Sequence, residues 1–498
     1  MEAQSQIVES FKNQTIFLTG GSGFVGKVFL AKLLTVCPEV NTIYLLVRPK
    51  RNKTPSERLR DIFSFSCFEP LKSKWPNFQE KIKLIIGDCE KIGLDIAAQD
   101  REILKREVTI FLHAAANVKF DQSLKLATYA NVRAMREVLA LVKEMTRLKA
   151  FTYVSTVYSN CPHSHIGEDF YESGMKAESL LTLVESVDES VLDAMTPSLL
   201  KTWPNTYVFT KCISEDLLKR EAGDLPVAVV RPCIIMPTAR EPVPAWSDNF
   251  YGIIGICVGV LAGVIKVMPG KPANPLHVIP CDYVVNLIMA SVWDLLQPKS
   301  TVKENKIAIY NHVPPPENTC TLGHLVATIN KIKWVYPFSD MAYWFPLFTM
   351  VTCRYWYAIR AFFQHTLLAY FADVILTCLG RKPIAVQQTR KISKLVILLS
   401  YFTLNTWTFD FHNVEALWDR LSEKDKKLFR FELKSLNWDD FWKLSIKHGR
   451  QYLLKEKLED LPYGRKKVRV LAVIHYATCA LLLYLSYKIL QFVFGFMF

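Results

Sequence analysis

The sequence predicts an α/β protein that begins with a doubly wound parallel sheet and continues into a mostly α-helical carboxy-terminal domain and a transmembrane tail. Two observations predict the sheet. Short apolar runs alternate with helical stretches as far as Pro232, and a glycine-rich turn joins the first run to the first helix. A third observation predicts the rest, because most of the apolar excess lies after Trp334. A chain of 498 residues exceeds what one hydrophobic core usually supports, so more than one folded unit is expected.

The candidate strands are short, apolar and separated by polar or helical stretches. Such alternation is typical of a parallel sheet with right-handed helical crossovers. Six runs fit this description: TIFLT (15–19), TIYLLV (42–47), KLII (83–86), VTIFLHAA (108–115), AFTYVST (150–156) and VAVVRP (227–232).

The turn after the first strand reads GGSGFVG and places glycines at Gly20, Gly23 and Gly26. Glycine suits this turn because the backbone must approach a pyrophosphate and because the next helix packs closely on the strand. A glycine-rich turn without a ligand is the simpler alternative. The position between a strand and an amphipathic helix favours a dinucleotide site of the Rossmann type.

The end of the second strand distinguishes the two nicotinamide cofactors. An NAD site places Asp or Glu there for the ribose hydroxyls, whereas this chain reads LLVRPKR. Arg48, helped by Lys50 or Arg51, suits the 2'-phosphate of NADPH. An ordinary exposed basic loop is the alternative interpretation.

Composition argues against several classes of protein. The net charge is +14, but Lys and Arg are spread along the chain, so a membrane face or a phosphate-rich ligand is favoured over nucleic acid. Twelve cysteines include no CxxC pair and no secretory signal opens the chain, which predicts a reducing cytosolic environment. Cys161, His163 and His165 lack a second ligand pair at zinc spacing, so no metal site is predicted.

A Tyr-x-x-x-Lys pair marks the candidate catalytic centre. A carbonyl reductase needs a donor to the substrate oxygen and a proton source, and a lysine one helical turn away favours the phenolate. The pattern occurs at Tyr207/Lys211, Tyr463/Lys467 and Tyr484/Lys488. Only the first follows the fifth strand, whose end carries Ser155 and Thr156. Thr156 is placed to share the substrate oxygen, although VSTVY alone is an ordinary β-branched strand end.

Longer motifs carry a resemblance to a known family. With TGGSGFVG, HAAANVKFD, YVSTVYSN and WPNTYVFTK, the sequence resembles the extended short-chain dehydrogenase/reductase superfamily, and more narrowly the fatty acyl-CoA reductases. Segments 241–255, 404–421 and 429–442 resemble the family's substrate-side stretch and carboxy-terminal domain. The resemblance therefore covers nearly the whole chain.

The resemblance implies NADPH-dependent reduction of a long-chain fatty acyl-CoA to a primary alcohol, through an aldehyde, with two hydride transfers and release of CoA. It implies catalytic roles for Ser155, Thr156, Tyr207 and Lys211, and makes His113 a structural or cofactor-side residue. The implied cofactor-binding residues are Thr19, Gly20, Gly21, Ser22, Gly23, Phe24, Val25, Gly26, Arg48, Asp88, Ala114, Ala115, Lys211 and Arg231.

Two departures from the family pattern concern chain-length preference. His277 stands where the family usually has an acidic residue, although Asp282 matches the later acidic position, and residues 311–323 are unusual. Two other functions stay open: a membrane-bound steroid or sterol dehydrogenase, and a nucleotide-sensing Rossmann protein without catalysis. The acyl-reductase-like second half and the intact catalytic residues favour the reductase.

Two regions predict a lipid membrane as partner. Residues 341–380 are aromatic and apolar but are interrupted by charged residues. We expect an amphipathic cap that docks on a membrane and helps to line an acyl site, with a true span or a buried helical core as alternatives. Residues 470–487 are nearly all apolar and approach the ~20 residues of a bilayer helix.

The basic residues that precede the second region set its orientation. Arg465, Lys466, Lys467 and Arg469 predict a single-pass tail anchor with a cytosolic catalytic domain. We expect the endoplasmic reticulum, with the peroxisomal membrane as alternative, and predict no oligomeric state. The whole pattern predicts an NADPH-binding domain over 1–300, a helical acyl-reductase domain over 301–462 and a transmembrane tail over 468–498.

Overall fold

The computed structural model describes residues 4–49, 53–298, 307–340 and 342–495, with side chains as far as 492. Contacts divide the chain into two compact units, each assembled from separate segments. The segments of unit 1 are 1–246, 277–319 and 406–436, and those of unit 2 are 247–276, 320–405 and 437–498. The units therefore interleave along the chain, whereas the predicted parts follow one another.

Unit 1 is built on a seven-stranded sheet in which every neighbouring pair is parallel. Its strands are β1 Thr15–Thr19, β2 Thr42–Val47, β3 Ile82–Ile86, β4 Ile110–His113, β5 Ala150–Val154, β6 Val227–Pro232 and β7 Ala308–His312. In space they run β7-β6-β5-β4-β1-β2-β3. The predicted doubly wound parallel fold is confirmed.

The helices cover both units. Those up to residue 221 are α1 Gln6–Phe11, α2 Phe24–Val36, α3 Pro55–Phe63, α4 Glu69–Lys74, α5 Ala98–Glu107, α6 Leu124–Thr128, α7 Ala134–Glu144, α8 Ala177–Ser186, α9 Glu189–Leu200 and α10 Thr206–Glu221. The later helices are α11 Ile253–Leu261, α12 Cys281–Leu296, α13 Leu322–Ile332, α14 Arg354–Ala361, α15 Leu367–Cys378, α16 Ala385–Leu404, α17 His412–Arg420, α18 Glu423–Leu428, α19 Trp438–Leu453 and α20 Leu461–Gly495.

Six of the seven strands were predicted from their apolar runs. The seventh, β7, was missed because only its first three residues are apolar and the polar residues Asn311 and His312 follow. Both are buried, and each has a backbone partner. Asn311 Nδ2 donates to the carbonyl of Asp410 at 2.9 Å, and a His312 ring nitrogen lies 2.9 Å from the carbonyl of Phe431. Those partners come from distant segments, so the local pattern could not reveal them.

The order of the strands determines where a ligand binds. From β1 the chain builds outward to β2 and β3 on one side, and then returns to β4 on the other side. In doubly wound sheets the crevice at this switch point, beyond the carboxyl ends of the strands, is the usual ligand site. Thr19 at the end of β1 pairs in register with His113 at the end of β4. The glycine-rich turn follows directly after Thr19.

Unit 2 is mostly helical, with one short parallel pair formed by Val267–Pro269 and Thr349–Val351. Its interior includes a buried ion pair, because Arg450 Nη2 lies 3.0 Å from the carboxylate of Glu456. That carboxylate also accepts the backbone N–H of Ser339 at 3.0 Å. The charges are thus paired and hydrogen-bonded, as buried charges require.

Two helical stretches of unit 2 are long and apolar enough to cross a membrane, Arg354–Cys378 and Leu458–Phe492. In each, the most apolar window is only 11% buried, which argues against a buried helical core for the first. The base of α20 packs on its own unit, where Val468 and Ala472 contact Phe345. These exposed apolar helices suggest membrane association.

Candidate active site

The turn after β1 is held by contacts that leave no room for a side chain. Gly20 has φ +79°, and a Cβ there would lie 2.6 Å from the backbone of Ala114 and Ala115. A Cβ on Gly26 would lie 2.3 Å from the carbonyl oxygen of Gly20. Gly23 is the N-cap of α2 and has no side chain to cap it, so the first N–H groups of the helix are left for another acceptor. A glycine-lined helix start of this kind suits a pyrophosphate.

The other predicted residues of this turn take different environments. Thr19 is fully buried, and its Oγ1 lies 2.7 Å from Nδ1 of His113. Ser22 is exposed, and its carbonyl accepts from Lys27 Nζ at 2.8 Å. Phe24 packs its ring 5.5 Å from that of Trp246. Gly21 is buried beneath Leu45, and Val25 is half-buried. The structure thus gathers residues 19–26 at the switch point, as predicted from their placement between strand and helix.

Arg48 follows β2 and has 64% of its side chain exposed. Among the described residues, it pairs with Glu90, 3.2 Å from Nη1, and the rest of the guanidinium keeps donors available to an anion. Asp88 follows β3 and its Oδ1 accepts the backbone N–H of Glu90 at 3.1 Å. Lys50 and Arg51, expected to help Arg48, lie outside the described residues.

Tyr207 lies in the first turn of α10, which Asn205 caps by accepting the N–H of Val208 at 3.1 Å. Its ring stacks on Phe120 with 5.8 Å between centroids. Burial raises the pKa of the Tyr207 phenol, the nearby Glu215 carboxylate raises it further, and a side-chain hydrogen bond with Thr156 opposes both. The phenol therefore stays protonated at neutral pH and is a hydrogen-bond donor. The sequence predicted instead that Lys211 lowers the pKa of this phenol and favours the phenolate.

The direction in which the Lys211 ammonium points explains why the pKa of Tyr207 is not lowered. Lys211 lies one turn along α10 from Tyr207, but its ammonium donates to the carbonyl of Val154 at 2.9 Å and to the hydroxyl of Tyr153 at 3.2 Å. It also lies 4.6 Å from the centre of the Tyr153 ring. Burial lowers the pKa of Lys211 to about 7, and Glu215 opposes that shift. Helical spacing brings the two residues to one site but did not predict where the ammonium points.

Glu215, one further turn along α10, is the centre of a buried network that sequence reasoning missed. Arg231 is fully buried and its guanidinium lies 2.6 Å from the Glu215 carboxylate. Ser155 donates to the same carboxylate, as does Ser159 at 3.1 Å. The Lys-x-x-x-Glu spacing on α10 was the one available signal. Ser155 and Arg231 are both bound to Glu215 in this network, and their predicted catalytic and cofactor contacts stay predictions.

His113 is fully buried at the end of β4. Its ring stacks on Tyr153 at 5.6 Å, and burial lowers the pKa of the imidazole to about 3, helped by the Lys211 charge. A neutral ring at the end of β4 agrees with the expected structural or cofactor-side role. Tyr153, at the end of β5, contacts both His113 and Lys211, a role that its strand pattern alone did not indicate.

The site can therefore do three things. The glycine turn and the start of α2 can hold a pyrophosphate, and Arg48 can reach a further phosphate. Tyr207 and Thr156, which lie close enough for Thr156 to influence the pKa of the phenol, could offer two hydroxyls to one substrate oxygen. Lys211 adds a titratable charge at the end of β5, beside Tyr153. This combination fits hydride transfer to a carbonyl.

Comparisons with known proteins give the same assignment. Two family models match, both described as Male sterility protein: an NAD-binding model over residues 18–288 and a second model over residues 364–456. Fatty acyl-CoA reductase wat of Drosophila melanogaster is 39% identical over 94% of this chain and 90% of its own length. Fatty acyl-CoA reductase 2 of Homo sapiens is 32% identical over 98% of this chain and 93% of its own.

Solved structures share the fold at low identity. The terminal R domain of the myxalamid PKS-NRPS pathway matches with a TM-score of 0.57 and 19% identity, covering 90% of this chain and 93% of that one. The reductase domain of a non-ribosomal peptide synthetase from Mycobacterium tuberculosis matches with a TM-score of 0.56 and 15% identity, covering 90% and 96%. At these identities the likeness concerns the fold alone.

Proposed function

The chain belongs to the fatty acyl-CoA reductase family, and from that premise we propose that it reduces long-chain fatty acyl-CoA to a primary alcohol with NADPH. The observation that carries the proposal is that Tyr207 lies close to Thr156 just beyond the carboxyl end of β5, in the same parallel sheet whose β1 leads into the glycine turn. The NAD-binding family model and the relatives identify the chain as a nicotinamide-dependent oxidoreductase.

The residues present fit the cofactor. A Cβ at Gly20 or Gly26 would fill the space against the backbone, which is the cradle that a pyrophosphate needs. Arg48 would bind the 2'-phosphate, which is the basis for choosing NADPH over NADH, and Lys211 would hold the ribose. NADPH, when bound, supplies the hydride. Asp88, Ala114 and Ala115 stay predicted contacts along the same crevice.

The chain's own residues would act on the thioester oxygen. Tyr207, whose phenol stays protonated, and Thr156 would donate to this oxygen as negative charge develops on it. Tyr207 would pass its proton to the oxygen when the thioester carbon is reduced to a hemithioacetal, which then expels CoA as the thiol and leaves the aldehyde. A second reduction of the aldehyde at the same two hydroxyls gives the alcohol.

We also propose that α20 anchors the protein as a tail, with the catalytic unit in the cytosol at the endoplasmic reticulum, or alternatively at the peroxisome. The support is the exposure of α20 beyond Ala472, where Leu483 is 72% exposed, together with the basic residues near the start of this helix. Lys467 at its base donates to the carbonyl of Ser339 at 2.7 Å, so this lysine serves the fold of unit 2. An apolar helix projecting from its unit suits a lipid environment.

The test uses the repeated Tyr-x-x-x-Lys pattern as its own control. Full-length protein in membranes is assayed for NADPH-dependent loss of a long-chain acyl-CoA. Tyr207→Phe should lower kcat by about 10²-fold or more, the usual contribution of a positioned proton donor. Tyr463→Phe and Tyr484→Phe, which alter exposed residues of unit 2, should leave kcat unchanged. Retained activity in Tyr207→Phe, or turnover with NADH alone, would contradict the proposal.

A further inference from the structure

A helical hairpin in unit 2 has an exposed apolar face for which the described structure provides no covering element. The stretch Arg354–Cys378 runs through α14 and α15, and α16 (Ala385–Leu404) returns beside α15. We call residues 354–404 the hairpin. Large apolar side chains at helical spacing are exposed along its first arm: Tyr355, Trp356, Ile359, Phe362, Phe363, Tyr370, Phe371, Val374 and Ile375. Tyr355 is 82% exposed. Exposed apolar side chains in this number mark an interaction surface.

The tip and return arm of the hairpin are strongly basic. Seven basic residues fall in the hairpin: Arg354, Arg360, Arg381, Lys382, Arg390, Lys391 and Lys394. Its one acidic residue is Asp373, whose carboxylate accepts the N–H groups of Ala385 at 2.7 Å and Val386 at 3.0 Å. The acid therefore caps α16. Among the described residues, no ion pair involves the five basic side chains from Arg381 to Lys394.

Three of these cations border a shallow cavity of about 380 Å³ between the two arms. Arg390, Lys391 and Lys394 line it from α16, together with Asp373 and Val386. The cavity thus presents positive charge next to apolar surface. A lipid headgroup with a phosphate has the matching charge and lies beside acyl chains.

From these observations we propose that the hairpin docks on a bilayer that contains anionic phospholipids, with its aromatic face in the interface and its basic tip on the headgroups. An interfacial helix with aromatic residues on one face and Lys or Arg nearby has this chemistry. The proposal goes beyond acyl-CoA reduction and specifies the lipid charge at which unit 2 docks. Its failure would leave the reductase assignment unaffected, because neither Tyr207 nor the glycine turn takes part.

The experiment compares hydrogen–deuterium exchange of the full-length chain in two kinds of nanodisc. One contains phosphatidylcholine alone, and the other contains about one third phosphatidylserine, which gives a negative surface. Peptides covering 379–397 should exchange more slowly in the anionic nanodiscs, by about fivefold for each basic residue that reaches the headgroups. Raising the salt to about 0.5 M should remove most of the difference, because screening shortens the range of the attraction.

Charge-removing variants provide the control. Arg390→Gln, Lys391→Gln and Lys394→Gln together should abolish the lipid-dependent protection. Arg147→Gln, Lys149→Gln and Lys219→Gln remove the same charge from exposed positions of unit 1 and should leave it intact. Equal protection in both nanodiscs, as a spanning helix would give, or no protection in either, as a protein partner or a second copy would give, overturns the proposal.

Discussion

Gly20 must be glycine for two reasons: the conformation of the turn, and the close approach of the backbone that follows β4. The backbone has φ +79°, and the backbone of Ala114 and Ala115 would lie 2.6 Å from any Cβ. Gly223 also has a positive φ, of +55°, but nothing lies within 4 Å of the position its Cβ would take. An alanine at Gly223 would therefore meet only backbone strain, whereas an alanine at Gly20 would meet both backbone strain and a steric clash.

Gly20→Ala should destabilise unit 1 and raise the KM for NADPH, because the turn must move away from Ala114. Gly223→Ala should cost only the strain of a left-handed residue, about 1–2 kcal/mol, with KM unchanged. Urea unfolding and steady-state kinetics on the two variants make the comparison. Equal KM values for both variants would mean that the Gly20 turn does not contact the cofactor.

Arg48 is the residue on which the choice of NADPH depends. Arg48→Ala should raise the KM for NADPH by about tenfold to hundredfold, since a hydrogen bond between charged groups contributes about 1.5–3 kcal/mol, and should leave the KM for NADH unchanged. Arg60→Ala, at an exposed position of α3, is the control. A parallel rise for both cofactors would exclude Arg48 as the 2'-phosphate ligand.

Helix α10 carries Tyr207, Lys211 and Glu215 one turn apart, and this spacing couples catalysis to pH. The pKa of Lys211 lies at about 7, so its charge is present below that pH and is lost as the pH rises through it. If the charged lysine holds the ribose, kcat/KM for NADPH should fall above pH 7, because that ratio reports the free enzyme.

Glu215→Gln removes the charge that raises the pKa of Lys211, so the fall in kcat/KM should move to lower pH. Glu221→Gln changes the charge equally at the end of the same helix, where Glu221 pairs with Lys143 at the surface, and should leave the profile in place. Circular dichroism must first show that Glu215→Gln folds, because Arg231 loses its buried partner. A fall that stays at the same pH in Glu215→Gln would contradict the coupling.

Strands and helices could be predicted where the apolar pattern of the sequence agrees with the position of the segment in the fold. The bounds of β1, β2 and β6 match their apolar runs, and α2 follows the glycine turn as expected. Strand β7 was not predictable, because its polar residues find their hydrogen-bond partners in segments distant along the chain, such as Asp410. The site divides in the same way: Thr156 and Tyr207 were predicted from their strand and helix positions and stay predictions as catalytic residues. The contacts of Glu215 and Tyr153 form only when α10 packs on the sheet.

At the scale of the whole molecule, shortening α20 allows membrane anchoring to be tested separately from the folding of the rest of the chain. Its base packs through Val468 and Ala472 on Phe345, whereas the helix beyond is largely exposed. A chain ending after Ala472 should become extractable from membranes by alkaline carbonate while its thermal unfolding in detergent is unchanged. The full-length chain should resist the same extraction. If the shortened chain also resists it, another segment supplies the integral anchor.

The most direct measurement uses NADPH carrying deuterium at the transferred position of C4. Membranes containing the full-length protein are incubated with this cofactor and a panel of acyl-CoA lengths, and the products are analysed by mass spectrometry. The proposed chemistry predicts a primary alcohol with two deuterium atoms at C1, lost in Tyr207→Phe. An aldehyde with one deuterium would mean that the protein carries out only the first of the two hydride transfers. An unlabelled product, or turnover of a sterol alone, would contradict acyl-CoA reduction.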